Sequence, residues 1–202
     1  MQKNNFNIRP YHTSDLTSLY KICLLTGNSG KDATKLLSDT DLMGHLYAAP
    51  YALFEPEVCF VVTNNNKPCG YIIGTKNSQK FYEKCEKDWF PILRNRYSIA
   101  DESDKSFNSV IIKRLHEGHK VKDELCNYPA HLHINLLPET QGQGLGRKII
   151  NLFVDKLREL NVSALHLEVG KTNLGAIKFY EKLGFQIIKE FEHSIAFGMK
   201  LN

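Results

Sequence analysis

The sequence lacks the cysteine pattern of a disulfide-linked or zinc-binding protein. Its five cysteines are odd in number, and no two of them stand at C-x-x-C spacing. We therefore expect neither a disulfide framework nor a metal site. Free thiols are typical of reducing compartments, so the composition predicts a cytoplasmic protein.

Long apolar runs and a strong charge excess are also missing. No apolar run approaches the ~20 residues that a membrane span needs. Residues 1–20 are polar, so neither a membrane partner nor a signal peptide is expected. The net charge is +4, from 26 Lys and Arg against 22 Asp and Glu. This mild excess argues against a nucleic-acid partner, because nucleic-acid binders usually cluster their cations on one face.

What is present is the composition of a globular protein. A chain of 202 residues with 42% hydrophobic residues can bury a core, and we predict a single domain over 1–202, as a monomer or homodimer. The hydrophobic pattern predicts strands at 6–9, 58–63, 71–75, 130–136, 163–169, 185–191 and 194–201. It predicts helices at 16–26, 33–46, 79–88, 103–118, around 149–157, and at 173–183.

The order of these elements predicts a mixed sheet. Strand, turn, helix, strand and helix follow one another over 130–184, and antiparallel hairpins flank this unit. Residues 76–128 are less regular, and we predict a variable helical insertion there rather than a second domain.

A glycine-rich turn joins the strand at 130–136 to the following helix. Gly142, Gly144 and Gly146 allow a ligand to approach the backbone because they have no Cβ atom. The first turn of a helix has unpaired N–H groups with partial positive charge, which favour phosphate. The Walker A and dinucleotide-binding patterns both fail at Arg147, where each requires glycine. The alternative interpretation is an ordinary strand-to-helix turn.

The spacing that does fit this turn is [RQ]-x-x-G-x-[GA], met by Gln141, Gly144 and Gly146. Here the sequence resembles the coenzyme A loop of GNAT N-acetyltransferases. A second stretch, 173–185, is similar to the family's motif N-x-x-A-x-x-F-Y-x-x-x-G-F. The resemblance implies an α/β (α+β) fold with a central mixed, mostly antiparallel twisted sheet of six to seven strands flanked by helices. It also implies acetyl transfer from acetyl-CoA to a primary amine through a tetrahedral intermediate, without a metal.

The same resemblance implies which residues contact the cofactor. The positions that match the family's motifs are Leu136, Leu137, Gln141, Gly142, Gln143, Gly144, Leu145, Gly146, Arg147, Asn173, Ala176, Phe179 and Tyr180. Backbone N–H groups of the turn would hold the pyrophosphate, helped by Arg147, and the strand edge at 135–137 would pair with the pantetheine arm. Tyr180 would protonate the departing thiolate; its alternative role is a core aromatic. Asn173 would lie near the pantetheine, and it is also a natural helix N-cap.

The general base and the acceptor site are less clearly indicated. Asn135 occupies a strand position where the family often has a carboxylate, which leaves His133 or Glu168 as candidate bases, or as ordinary strand residues. Asn135, Tyr47 and Tyr51 are weaker candidates for contact with the acceptor amine, whose identity the sequence does not indicate.

Three further stretches resemble a GNAT subgroup similar to the acetyltransferase-like domain of O-GlcNAcases. They lie at 45–51, 70–75 and 89–94. This resemblance leaves two functions open. One is an active N-acetyltransferase, and the other is a non-catalytic acetyl-CoA-binding or protein-interaction module with a degenerate acceptor site.

Overall fold

The computed structural model describes residues 4–99 and 101–201. Its centre is one seven-stranded sheet. The strands are β1 (Phe6–Pro10), β2 (Phe60–Asn64), β3 (Lys67–Thr75), β4 (Ala130–Leu136), β5 (Ala164–Gly170), β6 (Gln186–Glu190) and β7 (Ser194–Lys200). The helices are α1 (Leu16–Thr26), α2 (Leu42–Tyr47), α3 (Ala49–Phe54), α4 (Ser78–Asp88), α5 (Phe90–Arg96), α6 (Phe107–Glu117), α7 (Leu145–Glu159) and α8 (Leu174–Lys182). The predicted fold class, a mixed and mostly antiparallel sheet flanked by helices, is confirmed.

The sheet has one parallel junction, and that junction is short. The strand order is β1-β2-β3-β4-β5-β7-β6. All neighbours are antiparallel except β4 and β5, which pair in parallel at Ala130 with Leu165 and at His131 with His166. Within the described residues the pairing stops there, so the two strands diverge toward their carboxyl ends. A gap therefore opens in the sheet beside residues 132–136.

Each face of the sheet has its own hydrophobic core. Helices α1 to α6 pack on one face, and strand residues such as Tyr71 and Ile73 point toward them. Helices α7 and α8 pack on the other face, where Ile72 and Leu132 are buried. Because side chains alternate along a strand, His131, His133 and Asn135 of β4 face α1 to α6, whereas their neighbours face α7.

The predicted helix at 33–46 is wrong in its first half. A single 3-10 turn covers Thr34–Leu36, Leu37 is extended, and the α-helix begins only at Leu42. The cause is not local, because Asp39 accepts hydrogen bonds from Arg96 Nη2 at 2.7 Å and from the Tyr97 hydroxyl at 2.8 Å. These contacts hold the segment in a loop against the end of α5.

Helix α5 is absent from the predicted elements. It begins at Phe90 with Pro91 in its first turn, a position where proline is favoured because the N–H group there lacks an intrahelical acceptor. The segment is short and lies between two longer helices, so its hydrophobic pattern alone resembles a connection. Pro91 is nevertheless a usable signal for a helix start.

Substitution of Phe153 on α7 tests how strongly the core between α7 and the sheet stabilises the fold. Its side chain is fully buried, whereas the adjacent Leu152 is 41% exposed. We expect Phe153→Ala to lower the free energy of unfolding by about 3–5 kcal/mol, through lost burial and a cavity. Leu152→Ala should change it by less than about 1 kcal/mol. Urea unfolding of both variants measures the difference, and equal losses would contradict this account of the core.

Candidate active site

The glycine-rich turn leads directly into α7. Gly142 has φ of 72° and Gly144 has φ of 69°, both in the left-handed region that glycine adopts without strain. Gly144 is the N-cap of α7, so the turn leads into the first helical N–H groups. A Cβ atom at either glycine would meet nothing within 4 Å. These two glycines are therefore required by backbone conformation, and the space in front of them is open to a ligand.

Gly146 is required for a different reason. A Cβ atom at this position would lie 2.9 Å from Cζ of Phe179 and 3.5 Å from Cδ1 of Leu136. The missing side chain lets α7 approach the ring of Phe179 on α8, whereas the distance to Leu136 is an ordinary contact. Phe179 therefore supports the turn by packing against it. Leu145 also points into this core, with 5% exposure, so only its backbone can face a ligand.

The free edge of β4 faces the gap toward β5. The Leu137 N–H donates to the Cys69 carbonyl on β3 at 2.9 Å. Because hydrogen-bonding direction alternates in an antiparallel pair, Asn135 and His133 also direct their backbone groups toward β3. Ile134 and Leu136 direct theirs toward the gap. Of the predicted residues 135–137, only Leu136 therefore directs its backbone groups toward the gap, and pairing with a pantetheine arm there stays a prediction.

Asn173 and Tyr180 are placed by α8. The Asn173 side chain accepts a hydrogen bond from the Ala176 N–H at 3.2 Å, so it caps the helix. Tyr180 is 8% exposed and packs against the rings of Phe179, Phe185 and Phe197. Burial raises the pKa of the Tyr180 phenol, which keeps it protonated at neutral pH. Arg147 lies exposed beside the turn, and its guanidinium donates to the Lys182 carbonyl at 3.3 Å.

His133 lies on the opposite face of the sheet, in a cluster of rings. Its Nε2 is 3.1 Å from the Tyr51 hydroxyl, which is also 2.8 Å from Nε2 of His131. Nδ1 of His131 is 2.7 Å from the Ser78 hydroxyl. Tyr51 is only 2% exposed and its hydroxyl is bound between two histidines, so contact between Tyr51 and the acceptor amine stays a prediction that this burial disfavours.

Asn135 and Tyr47 are each held by one polar neighbour. Nδ2 of Asn135 donates to the Thr26 hydroxyl at 2.6 Å, and that hydroxyl donates to the Ile22 carbonyl at 2.7 Å. The Tyr47 hydroxyl accepts from Arg114 Nη1 at 3.1 Å, and its ring lies 6.0 Å from that of His133. Both side chains are half-buried beside His133, so they remain candidates for lining an acceptor pocket.

Glu168 has strong partners of its own. Lys122 Nζ donates to both carboxylate oxygens at 2.8 Å, and the Ser194 hydroxyl donates to one of them at 2.8 Å. Both carboxylate oxygens of Glu168 are therefore engaged in hydrogen bonds, which the side chain would have to give up in order to contact an amine. The structure therefore favours a structural role for Glu168, and His133 is the stronger candidate for the base.

Four histidines near this site are held neutral by burial. Desolvation lowers the pKa of His133 to about 4, that of His131 well below its usual value, and those of His119 and His166 in the same direction. None of them needs to lose a proton at neutral pH. His133 can therefore accept one there, although burial makes it a weak base.

This neutrality predicts an acid-sensitive fold. Below pH ~6.5 the unfolded chain takes up protons on these histidines, whereas the folded chain does not until pH falls toward their lowered pKa values. Stability should therefore decrease from pH 6.5 toward about 4, with a slope of up to about 1.4 kcal/mol per pH unit for each fully neutral ring. Urea unfolding at pH 7, 6 and 5 measures this slope above the range where carboxylates titrate. A free energy of unfolding that is constant over this range would contradict the assignment.

Several residues at the site are missing from the sequence-based candidates. Ser78, His131 and Thr26 fix the candidate residues, and Lys122 neutralises Glu168. They come from the start of α4, from β4, from the end of α1 and from the loop before β4. Only His131 has a sequence signal, through its alternation with His133.

Two further properties concern the described residues as a whole. In residues 4–99 and 101–201, no helix is long and apolar enough to cross a membrane. The same residues contain no group of three or more His, Cys, Asp or Glu side chains arranged to hold a metal ion.

Comparison with known proteins agrees with the fold and the turn. The model of the acetyltransferase (GNAT) family matches residues 109–185. A crystal structure of SsHAT superposes with a TM-score of 0.92 at 32% identity, covering 98% of each chain. The chain therefore belongs to the GNAT acetyltransferase family, as predicted.

Two curated proteins are similar to this chain over different lengths. Protein O-GlcNAcase of Rattus norvegicus is 26% identical over 189 residues, or 91% of this chain. The chain spans only 20% of the length of that relative. The ribosomal protein bS18-alanine N-acetyltransferase of Escherichia coli (strain K12) is 46% identical over 48 residues, which are 24% of this chain and 32% of that enzyme. The predicted similarity to O-GlcNAcases is confirmed.

Proposed function

We propose that this protein transfers the acetyl group of acetyl-CoA to a primary amine, on a small molecule or on a protein. The main support is the position of the gap between β4 and β5. It opens beside the turn formed by Gly142 and Gly144, with His133 on one face of the sheet and Tyr180 on the other. Membership of the acetyltransferase family agrees with this arrangement.

The residues at the turn fit a phosphate-containing ligand. The two left-handed glycines leave open space in front of the first N–H groups of α7, and Arg147 adds a positive charge there. The backbone groups of Ile134 and Leu136 point into the gap, where an extended amide-containing arm can pair with them as an added strand. When bound, acetyl-CoA supplies the acetyl group as a thioester.

The two proton transfers of the reaction then take place on opposite sides of the gap. On one side, neutral His133 accepts the proton that the attacking amine gives up. The amine nitrogen forms a bond to the acetyl carbon, and the carbon–sulfur bond breaks. On the other side, the protonated phenol of Tyr180 donates a proton to the departing sulfur and regains one from solvent. His133 returns its proton to solvent, so the reaction balances.

The amine class of acceptor has support from one relative. The Escherichia coli enzyme that shares 46% identity over 48 residues is named as an alanine N-acetyltransferase of ribosomal protein bS18. We extend only the general chemistry, acetylation of a primary amine, to this chain.

A second function is favoured by one observation. Asn135 stands on β4 where the family resemblance leads us to expect a carboxylate, and Glu168 is paired with Lys122, so the site has no free carboxylate at these two positions. A non-catalytic acetyl-CoA-binding or protein-interaction module would show this feature.

Release of free thiol from acetyl-CoA separates the two functions. The assay uses a panel of polyamines, aminosugars, peptides with a free α-amino group and peptides containing lysine. Thiol release that depends on one class of amine supports the acetyltransferase. Binding of acetyl-CoA without release by any amine above the enzyme-free rate would contradict it and favour the module.

A further inference from the structure

A chain of hydrogen-bonded side chains connects the start of α4 to His133. It runs from Ser78 through His131 and Tyr51, and each contact is between 2.7 and 3.1 Å. All three of these side chains are buried, with exposures of 2%, 4% and 2%. None of them can contact a substrate directly, so a role for them must act through His133.

The direction of the first hydrogen bond is set by Pro129. Its carbonyl can only accept, and it lies 2.7 Å from the Ser78 hydroxyl oxygen. Two oxygens at that distance need a proton between them, so Ser78 donates its only hydroxyl proton to Pro129. The same oxygen must then accept from Nδ1 of His131, which therefore carries the proton of that ring.

The remaining directions follow along the chain. His131 is neutral, so its Nε2 has a lone pair and accepts the Tyr51 hydroxyl proton. Tyr51 has no second proton to give, and its oxygen must accept from Nε2 of His133. His133 is consequently the tautomer with its proton on Nε2, and its Nδ1 has a free lone pair.

Nδ1 of His133 is the ring nitrogen that this series of hydrogen bonds does not use. Within the described residues it has no hydrogen-bond partner, and it is not among the fully buried polar atoms that lack one. The titratable groups that face His133 are Tyr47 from α2, Tyr51 from α3, His131 from β4, His119 from the segment after α6 and His166 from β5. Charged groups beside these rings are Arg114, which donates to Tyr47, and Glu168 and Lys122, which lie near His166.

We propose that Ser78, His131 and Tyr51 are positioning residues that fix the His133 tautomer and so make its Nδ1 the proton acceptor for the amine. This inference rests on the proposed acetyl transfer. The amine proton moves to Nδ1 and forms an imidazolium, while the Nε2 proton continues to donate to Tyr51. No hydrogen bond in the chain has to reverse during this step, which lowers its reorganisation cost.

Nuclear magnetic resonance of the protein with ¹⁵N-labelled histidine reads the tautomers directly, without any ligand. Comparison with His133→Gln and His131→Gln assigns the two rings. We expect the proton of His133 on Nε2 and that of His131 on Nδ1 at neutral pH. A His133 ring with its proton on Nδ1, or a mixture of tautomers, would overturn the inference.

Tyr51→Phe tests whether the series of hydrogen bonds that ends at His133 affects turnover. The ring of Tyr51 stacks on Phe81 with centroids 4.3 Å apart, and phenylalanine retains that contact. We expect mixed tautomers at His133 and a kcat lowered about tenfold to a hundredfold, with KM for the amine and the affinity for acetyl-CoA nearly unchanged. The matched control is Tyr82→Phe, because the ring of Tyr82 lies 5.3 Å from His131 but its hydroxyl is outside the chain. Tyr82→Phe should leave both tautomers as in the wild type.

Ser78→Ala is the second variant, should Tyr51→Phe not fold. Without its Oγ the preference for Nδ1–H at His131 is lost, and the tautomer of His133 should become mixed. Unchanged tautomers in either folded variant, or unchanged kcat in Tyr51→Phe, would overturn the inference. If the wild-type protein shows the expected tautomers but releases no thiol with any amine, the proposed acetyl transfer is contradicted instead. His133 then has no catalytic role.

Discussion

Gly144→Val is expected to weaken acetyl-CoA binding at least about a hundredfold, which corresponds to ~2.7 kcal/mol of binding free energy. Gly144 has φ of 69° at the N-cap of α7, and valine is strongly disfavoured there because its branched Cβ clashes with the backbone. The turn must change conformation, and the N–H groups in the first turn of α7 then no longer converge on one anion. Titration calorimetry of the purified variant measures the loss.

Gly30→Val is the matched control for that experiment. Gly30 has φ of 84° and is exposed like Gly144, and a Cβ atom placed on it would meet nothing within 4 Å. Both substitutions should lower stability by a similar amount, about 1–3 kcal/mol, because both strain a left-handed residue. Only Gly144→Val should lose acetyl-CoA. Equal affinities of the two variants would contradict a ligand role for the turn.

Tyr180→Phe is expected to lower kcat by about a hundredfold or more, as the loss of a general acid usually does, while acetyl-CoA affinity changes little. The phenol is protonated because burial raises its pKa, and the phenyl ring retains the packing against Phe185 and Phe197. The thiol-release assay at saturating acetyl-CoA measures the effect with the best amine of the panel.

Tyr11→Phe controls for the loss of a buried hydroxyl in general. Tyr11 and Tyr180 are both 8% exposed, and the Tyr11 hydroxyl has no partner in the described part of the chain. Its loss should leave kcat unchanged, because Tyr11 packs in the core on the other face of the sheet. If Tyr180→Phe turns over as fast as Tyr11→Phe, Tyr180 is a core residue without a chemical role.

The part of the fold from β4 to α8 could be predicted from the sequence because its signals are local. Period-two alternation marks β4, and the apolar positions of α7 recur at helical spacing. The glycines at 142 and 144 are needed for backbone conformations that few other residues adopt. A pattern of this kind depends on neighbours within a few residues, so it is visible before the chain is folded.

The acceptor side could not be predicted in the same way, because distant contacts determine it. The loop that replaces the first half of the predicted helix at 33–46 depends on Asp39 meeting Arg96 and Tyr97. The partners of His133 come from α3 and, through His131, from α4, and Glu168 on β5 is neutralised by a lysine 46 positions earlier. No periodicity or spacing marks such pairs. The predicted single domain over 1–202 with an insertion at 76–128 stays a prediction.

The most direct test of this account is calorimetric titration of the wild-type protein with acetyl-CoA. The open turn at Gly142 and Gly144, beside the gap between β4 and β5, predicts one binding site per chain with a dissociation constant below about 1 mM, the upper end of common KM values. Absence of binding heat up to that concentration, with the protein folded and Gly144→Val indistinguishable from the wild type, would contradict the central claim.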